Sequence, residues 1–363
     1  MTLFEPIKVG TCQLQHRVVH APLTRLRNTE DNIPTDLVAE YYSQRATEGG
    51  LLIAEATAVS SKTGGYPRIP GVFTKEQQEG WSKVIQGVHG KGGYIFSQLW
   101  HGGRAGSSLF LENNLAPFAP SPIAIRGDNQ FTNTRYEVPR EATQDDIKDF
   151  IQQYITAAKN AIDAGFDGVE IHAANGYLIH QFISSSSNKR TDIYGGSIKN
   201  RARFVLELTE AVVNAIGAER TAIRFSPWGG SHLDVDDDTP YETYSHILKK
   251  LDPKLAYVHF VEPRDDFLRI PDLENSLDPF RKVWKDNPFI TAGGYTTRPE
   301  TISAVSQETG NLVAIGRAFT SNPDLVYRLK NDLPLSKHQR DYFYTTDAIG
   351  YTDYQPYDKN ANP

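Results

Sequence analysis

The chain has 363 residues, a net charge of −6 and 39% hydrophobic content, with basic residues scattered and no run that suggests a polyanion groove. That size suits one large barrel or two ordinary domains, and the charge pattern argues against a nucleic-acid partner. No apolar run approaches the ~20 residues of a membrane span, and a single cysteine, Cys12, excludes an internal disulfide and any cysteine-built metal or iron–sulfur site. No basic-then-apolar leader opens the sequence, so a reducing, cytoplasmic setting is expected.

Short apolar runs alternate with helical patterns along the chain. Residues 3–15 precede the first strand and are expected to form a hairpin (1–16) closing the bottom of the fold. Strands are expected over 17–21, 51–55, 93–100, 165–171, 221–225, 255–261, 288–291 and 312–315. Helical patterns cover 35–46, 143–164, 201–216, 241–251, 279–285, 298–306 and 323–330. Eight strands alternating with helices predict one (β/α)8 TIM barrel spanning residues 1–363. A doubly wound sheet is the alternative, but the Gly-x-Gly-x-x-Gly turn expected after its first strand is absent. Residues 101–140 are rich in Pro, Gly and Asn and read as an ordered excursion over the active face after strand three. The tail, 334–363, is expected near the barrel mouth, with Tyr342-Phe-Tyr344 capping the pocket. Asp234-Val-Asp-Asp-Asp238 lacks the spacing of a calcium loop and reads as solvated; no metal is expected.

In such a barrel the chemistry gathers at the C-terminal ends of the strands. The fourth strand runs into His172-Ala-Ala-Asn175-Gly-Tyr177, placing an imidazole, a carboxamide and a phenol together. His and Asn can both donate to one substrate oxygen, and Tyr carries a transferable proton. Taken singly, each has a bland reading: a satisfied core histidine, a turn cap and a half-buried packing residue. Gly293, Gly294, Gly316 and Arg317 follow the last two strands, where this fold usually cradles phosphate. Tight turns alone would also explain those glycines.

Several motifs occur in order along the chain. They are Ala21-Pro-Leu-Thr-Arg25, Ser97-Gln-Leu-Trp-His-Gly-Gly-Arg104, His172-x-x-Asn-x-Tyr-Leu-x-x-Gln-Phe182, Asn188-Lys-Arg-Thr-Asp-x-Tyr-Gly-Gly-Ser-x-x-Asn-Arg-x-Arg-Phe204 and Gly350-Tyr-Thr-Asp-Tyr354. Together they resemble the Old Yellow Enzyme family, FMN-dependent and NAD(P)H-using ene-reductases, in its threonine-containing branch. The resemblance implies a flavin site of Pro22, Leu23, Thr24, Ala56, Gln98, Arg224, Gly293, Gly294, Gly316 and Arg317. It implies that His172 and Asn175 bind an electron-withdrawing oxygen, that Tyr177 donates the proton, and that Trp100 and Tyr351 line the pocket. The implied reductant is NADPH, with NADH less favoured, and the implied substrate is a small activated alkene. Monomer and homodimer are both compatible with it. Substrate choice is expected to depend on the loops around 101–140 and 262–276. Two stronger rivals stand beside this reading, and a third, weaker one is a non-catalytic flavin-binding or structural protein, whose signature would be loss of the His172, Asn175 and Tyr177 set. Of the two, one is an isomerase on the same flavin scaffold, against which Tyr177 argues because relatives of that kind carry Phe there. The other is a cofactor-free barrel lyase, which needs a Schiff-base lysine or a metal cluster at strand ends.

Overall fold

A computed structural model describes residues 3–63, 65–230, 233–263, 274–295 and 300–357. β1 (Ile7–Val9) and β2 (Cys12–Leu14) pair as an antiparallel hairpin. β3 (Val18–His20), β4 (Leu51–Ala58) and β5 (Tyr94–Trp100) follow as parallel strands. The excursion after β5 carries β6 (Phe118–Ala119), β7 (Asp128–Asn129), β8 (Thr134–Arg135) and β9 (Arg140–Glu141), in which β6 pairs with β9 and β7 with β8. β10 (Gly168–Ala173), β11 (Thr221–Phe225), β12 (Val258–Val261), β13 (Phe289–Ala292) and β14 (Leu312–Ile315) complete a closed eight-stranded parallel barrel in which β14 pairs with β3 and β5 with β10. Every residue of β4, β10, β11, β12, β13 and β14 is buried, because helices cover the outside and side chains fill the inside. Both faces of each strand must therefore be apolar or paired.

The interior is packed from below. Val9, Cys12 and Leu14 of the hairpin join Leu51, Phe96, Tyr257, Ile290 and Leu312 in one cluster, so the hairpin plugs the barrel bottom. Burial pushes the Cys12 thiol up to about 12, which leaves it a small unreactive core group. Outside, helix Gln144–Ala164 starts at a reciprocal cap between Thr143 and Asp146 and ends at Gly165 in the left-handed region, as its sequence predicts.

One full helix was not legible. Lys75–His89 fills the gap between β4 and β5, where the sequence reading places no element. Its signal was a cap: Thr74 accepts from the backbone of Gln77, whose side chain answers back. Gly80 and Gly87 weaken the periodic pattern inside it, each at about 1 kcal/mol relative to alanine. Packing explains Gly80, because a Cβ there would lie 2.9 Å from Pro34 Cδ. The short helices Leu178–Ile183, Ile198–Arg201 and Arg317–Ser321 were missed too. The pattern expected over 298–306 appears as helix Glu300–Thr309, its first residues lying outside those described. Residues 264–273, part of one expected selectivity loop, also lie outside them.

Asp234–Asp238 is the solvated loop expected only at Asp236 and Asp238, which are exposed. The Asp237 side chain is fully buried and holds Arg201 at 2.9 Å, and Asp234 pairs with Arg126 at 2.7 Å. The Arg104 guanidinium donates to the carbonyls of Leu233 and Asp234 at 3.0 and 2.7 Å. This segment is a brace behind the loop that follows β10.

Candidate active site

A cavity of about 390 Å³ opens at the C-terminal end of the barrel, within the range typical of small-molecule sites. Its floor comes from the ends of β3, β11, β13 and β14: Pro22, Leu23, Thr24, Arg224, Gly293, Gly294, Gly316 and Arg317 all line it. Asn175 and Tyr177 line it from the loop after β10. Gly293 and Gly294 have φ of 117° and 79°, a conformation open to glycine at little cost, and it turns that stretch of backbone along the cavity edge.

The loop carrying Asn175 and Tyr177 is fixed by its own hydrogen bonds. Asn175 has φ of 54°, which asparagine tolerates better than most residues, and its N–H donates to Ser226 Oγ at 2.6 Å. The Gln181 carboxamide donates to the Gly176 carbonyl at 2.8 Å and to the Gly102 carbonyl at 3.3 Å, while its oxygen accepts from the Arg104 N–H at 3.2 Å. One buried side chain thus ties the loop after β10 to the loop after β5.

His172 is buried behind this rim, with its ring edge-on to Tyr177 at 5.1 Å. Its Nδ1 accepts the Ala174 N–H at 3.3 Å, so Nε2 carries the hydrogen of the neutral ring. Burial, and then the Arg224 charge, hold the imidazole well below the ordinary histidine range. His172 is therefore a neutral donor at physiological pH. Burial also pushes the Tyr177 phenol up to about 12, with the Tyr66 hydroxyl opposing the shift from 3.0 Å away. Tyr177 keeps its proton until negative charge develops beside it.

Beneath the floor lies a buried polar group. Glu170 accepts from Gln98 Nε2 at 2.7 Å and from His259 Nδ1 at 2.8 Å. Burial opposes ionisation of Glu170, but His259, Arg224 and Gln98 together hold its carboxyl below the usual range. The His259 imidazole is itself pushed below its ordinary value, first by burial. An anionic Glu170 beside a neutral His259 satisfies both.

The remaining expected residues divide. Ala56, Gln98, His172 and Trp100 are buried and stand behind the lining rather than in it. Trp100 has no exposed surface and packs on Tyr66 and Tyr177 at 5.4 and 5.3 Å, so it props the wall instead of forming it. Tyr351 also departs from expectation. It is fully buried, stacks on Tyr41 at 4.2 Å and lies under the Arg25 and Arg27 guanidinium groups at 5.0 and 4.6 Å. It is a spacer within the tail, turned from the pocket into the aromatic and cation–π contacts it makes there.

The pocket's aromatic wall is instead Tyr66, Phe131, Phe343 and Tyr344. The tail expectation located the last two. Tyr66 and Phe131 sit in loops without periodicity, so no pattern marked them. Arg25 and Arg27 bind tail carbonyls: Arg25 those of Phe343 and Gly350, Arg27 those of Tyr342, Phe343, Asp347 and Ile349.

Comparison with known proteins now decides the family. Residues 2–336 match the model of the NADH:flavin oxidoreductase / NADH oxidase family. The chain is 45% identical over 379 residues to flavin oxidoreductase hxnT of Emericella nidulans, covering 97% of both chains. It is 45% identical over 356 residues to 12-oxophytodienoate reductase 1 of Oryza sativa subsp. japonica, covering 97% of this chain and 92% of that one. The old yellow enzyme homologue of Zymomonas mobilis superposes with a TM-score of 0.90 at 39% identity, over 98% of this chain and 99% of that one. Morphinone reductase gives 0.91 at 37% identity, over 99% and 98%. The chain belongs to the Old Yellow Enzyme family. It is accordingly an FMN-dependent oxidoreductase that draws on a nicotinamide nucleotide. The residues present suit that cofactor: glycine turns and Arg317 line the floor after the last two strands, and Arg224 lines it from β11 with the Gln98 amide buried behind the lining. An anionic phosphate suits the first, and a ring that alternates donors and acceptors suits the second.

Proposed function

We propose that this Old Yellow Enzyme is an NADPH-using ene-reductase acting on small α,β-unsaturated carbonyl compounds or nitroalkenes. The observation that carries the proposal is the His172, Asn175 and Tyr177 constellation: an amide and a protonated phenol at the edge of the cavity, with a neutral imidazole donor edge-on to that phenol just behind them. In this reading Pro22, Leu23, Thr24, Ala56, Gln98, Arg224, Gly293, Gly294, Gly316 and Arg317 hold FMN. When bound there, FMN would supply the hydride chemistry between NADPH and the β-carbon of the alkene.

The protein's own residues do the rest. His172 and Asn175 donate hydrogen bonds to the activating oxygen and stabilise the charge that builds there. Tyr177 releases its proton to the α-carbon as that charge develops. Its raised pKa keeps it in the acid form across the physiological range and makes release depend on a strongly basic acceptor. Tyr66, Phe131 and Tyr344 form an apolar wall suited to the hydrocarbon part of such a substrate. Tyr177 also favours net reduction over isomerisation, because an isomerase has no need of a proton donor at that position.

The test is isotopic. Turnover of 2-cyclohexenone in D₂O with unlabelled NADPH is expected to place solvent deuterium at the α-carbon of the saturated ketone. Absence of deuterium from the α-carbon, or recovery of a double-bond isomer, would contradict the assignment.

A further inference from the structure

The lower barrel interior is apolar, with Ala222, Ile290 and Leu312 in one cluster. The layer above it is not. Glu170 points inward from β10 beside its strand partner Gln98, and Arg224 and His259 are partners on the next two strands. Glu170 and His259 have no exposed surface. An isolated carboxylate is expensive to bury, and a well-packed apolar residue commonly serves stability at least as well. Both oxygens of Glu170 are nevertheless committed, one to Gln98 Nε2 at 2.7 Å and the other to His259 Nδ1 at 2.8 Å.

We propose that Glu170 is a positioning residue of the flavin site, locking the Gln98 amide with its carbonyl oxygen free for the cofactor and balancing the charge of Arg224. This rests on the FMN reading above. The lock follows from donor chemistry. A carboxylate accepts hydrogen bonds and cannot donate them. Gln98 can meet it only through its NH₂ group, so Oε1 is the end left over. The imide N–H of an isoalloxazine is a donor and needs such an acceptor. Were the amide turned the other way, two donors would face each other. The second effect is electrostatic. Arg224 lines the cavity, and the buried Glu170 carboxylate interacts with its charge in a poorly screened interior,.

Glu170→Gln separates this role from simple packing, because it keeps the shape and removes the charge. A glutamine there can accept from His259 and then present its own NH₂ to Gln98, which must reverse its amide to answer. The experiment compares FMN with 3-methyl-FMN, which lacks the imide N–H, in binding to apo-protein, and measures the midpoint potential of each holoprotein. Wild type is expected to prefer FMN by about tenfold, the value of one such bond. Glu170→Gln is expected to lose most of that preference and to show a less negative potential, as Arg224 then stabilises the reduced anion with less opposition. If the variant does not fold, Glu170→Asp serves: its shorter carboxylate cannot reach Gln98 and His259 together, and the preference must again fall. A variant that discriminates and titrates like wild type would overturn the role of Glu170. A wild type that binds no FMN would overturn the flavin reading itself.

Discussion

The floor and the wall of this cavity are built by different means. Thr24, Arg224, Gly293 and Gly316 sit at or just beyond the ends of barrel strands, and the parallel ladder fixes them. The wall of Tyr66, Phe131, Phe343 and Tyr344 comes from two loops and the tail, and side chains hold it. Tyr66 leans on Trp100, and Phe131 packs on Tyr66 at 4.4 Å and on Tyr344 at 5.8 Å. The tail itself is held by the Arg25 and Arg27 guanidinium groups on its backbone carbonyls. A floor made of strand ends tolerates little variation without loss of the barrel, whereas a wall hung on arginines can change shape while the chemistry stays in place.

Substitutions can separate the two. The largest effect is expected at the catalytic edge: Tyr177→Phe should slow alkene reduction by about 100-fold or more and leave flavin reduction by NADPH near wild type, as stopped-flow absorbance of the two half-reactions will show. Equal loss in both halves would mean that Tyr177 holds structure instead. Next comes the tail. Arg27→Leu strands the carbonyls of Asp347 and Ile349 and takes one of two donors from those of Tyr342 and Phe343, and chemical denaturation should show a loss of about 2–3 kcal/mol. FMN affinity should hold while KM for the alkene rises. A fall in FMN affinity of the same size would show that wall and floor are coupled.

Acid should act on the barrel more than on the wall. Burial pushes His16 down to about 4, and His20 and His101 down to about 3. All three are neutral when folded and take up protons in the unfolded chain below about pH 6.5, so stability is lost as pH falls through that value. Glu55, pushed up to about 7 by burial, works the other way, gaining its proton in the folded state first. His172 and His259, held low in the same way, add to these three, so against one carboxyl the net loss between pH 6.5 and 5.5 is at least about 2 kcal/mol, to be read from denaturation midpoints. A flat profile would contradict the buried neutral histidines. The smallest effect is expected at Tyr344→Ala, a few-fold change in KM with kcat little altered, since this side chain is 47% exposed and packs only at the rim.

The same division separates what was legible in the sequence from what was not. Apolar strands buried on both faces announce themselves as runs, and a residue just past such a run is placed by the ladder. That is why Thr24, Asn175, Tyr177, Arg224, Gly293, Gly294, Gly316 and Arg317 are legible at the barrel mouth from the sequence alone. Trp100 and Tyr351 were misplaced because chain position does not tell which way an aromatic ring turns. Tyr351 turns toward Tyr41 and two arginines. Tyr66 was invisible because its position depends on the contact with Trp100 and Tyr177, and helix Lys75–His89 was hidden by two glycines that packing explains only in part. The Glu170 network escaped for another reason: a single acid inside an apolar strand gives no sign of what meets it across the barrel.

The central claim is tested most directly by the absorption spectrum of the purified protein through one cycle. A yellow protein is expected, with flavin bands that bleach on anaerobic addition of NADPH and return on addition of 2-cyclohexenone. Bleaching without return would contradict the assigned acceptor and the role of Tyr177. A colourless protein that FMN cannot reconstitute would contradict the flavin site itself.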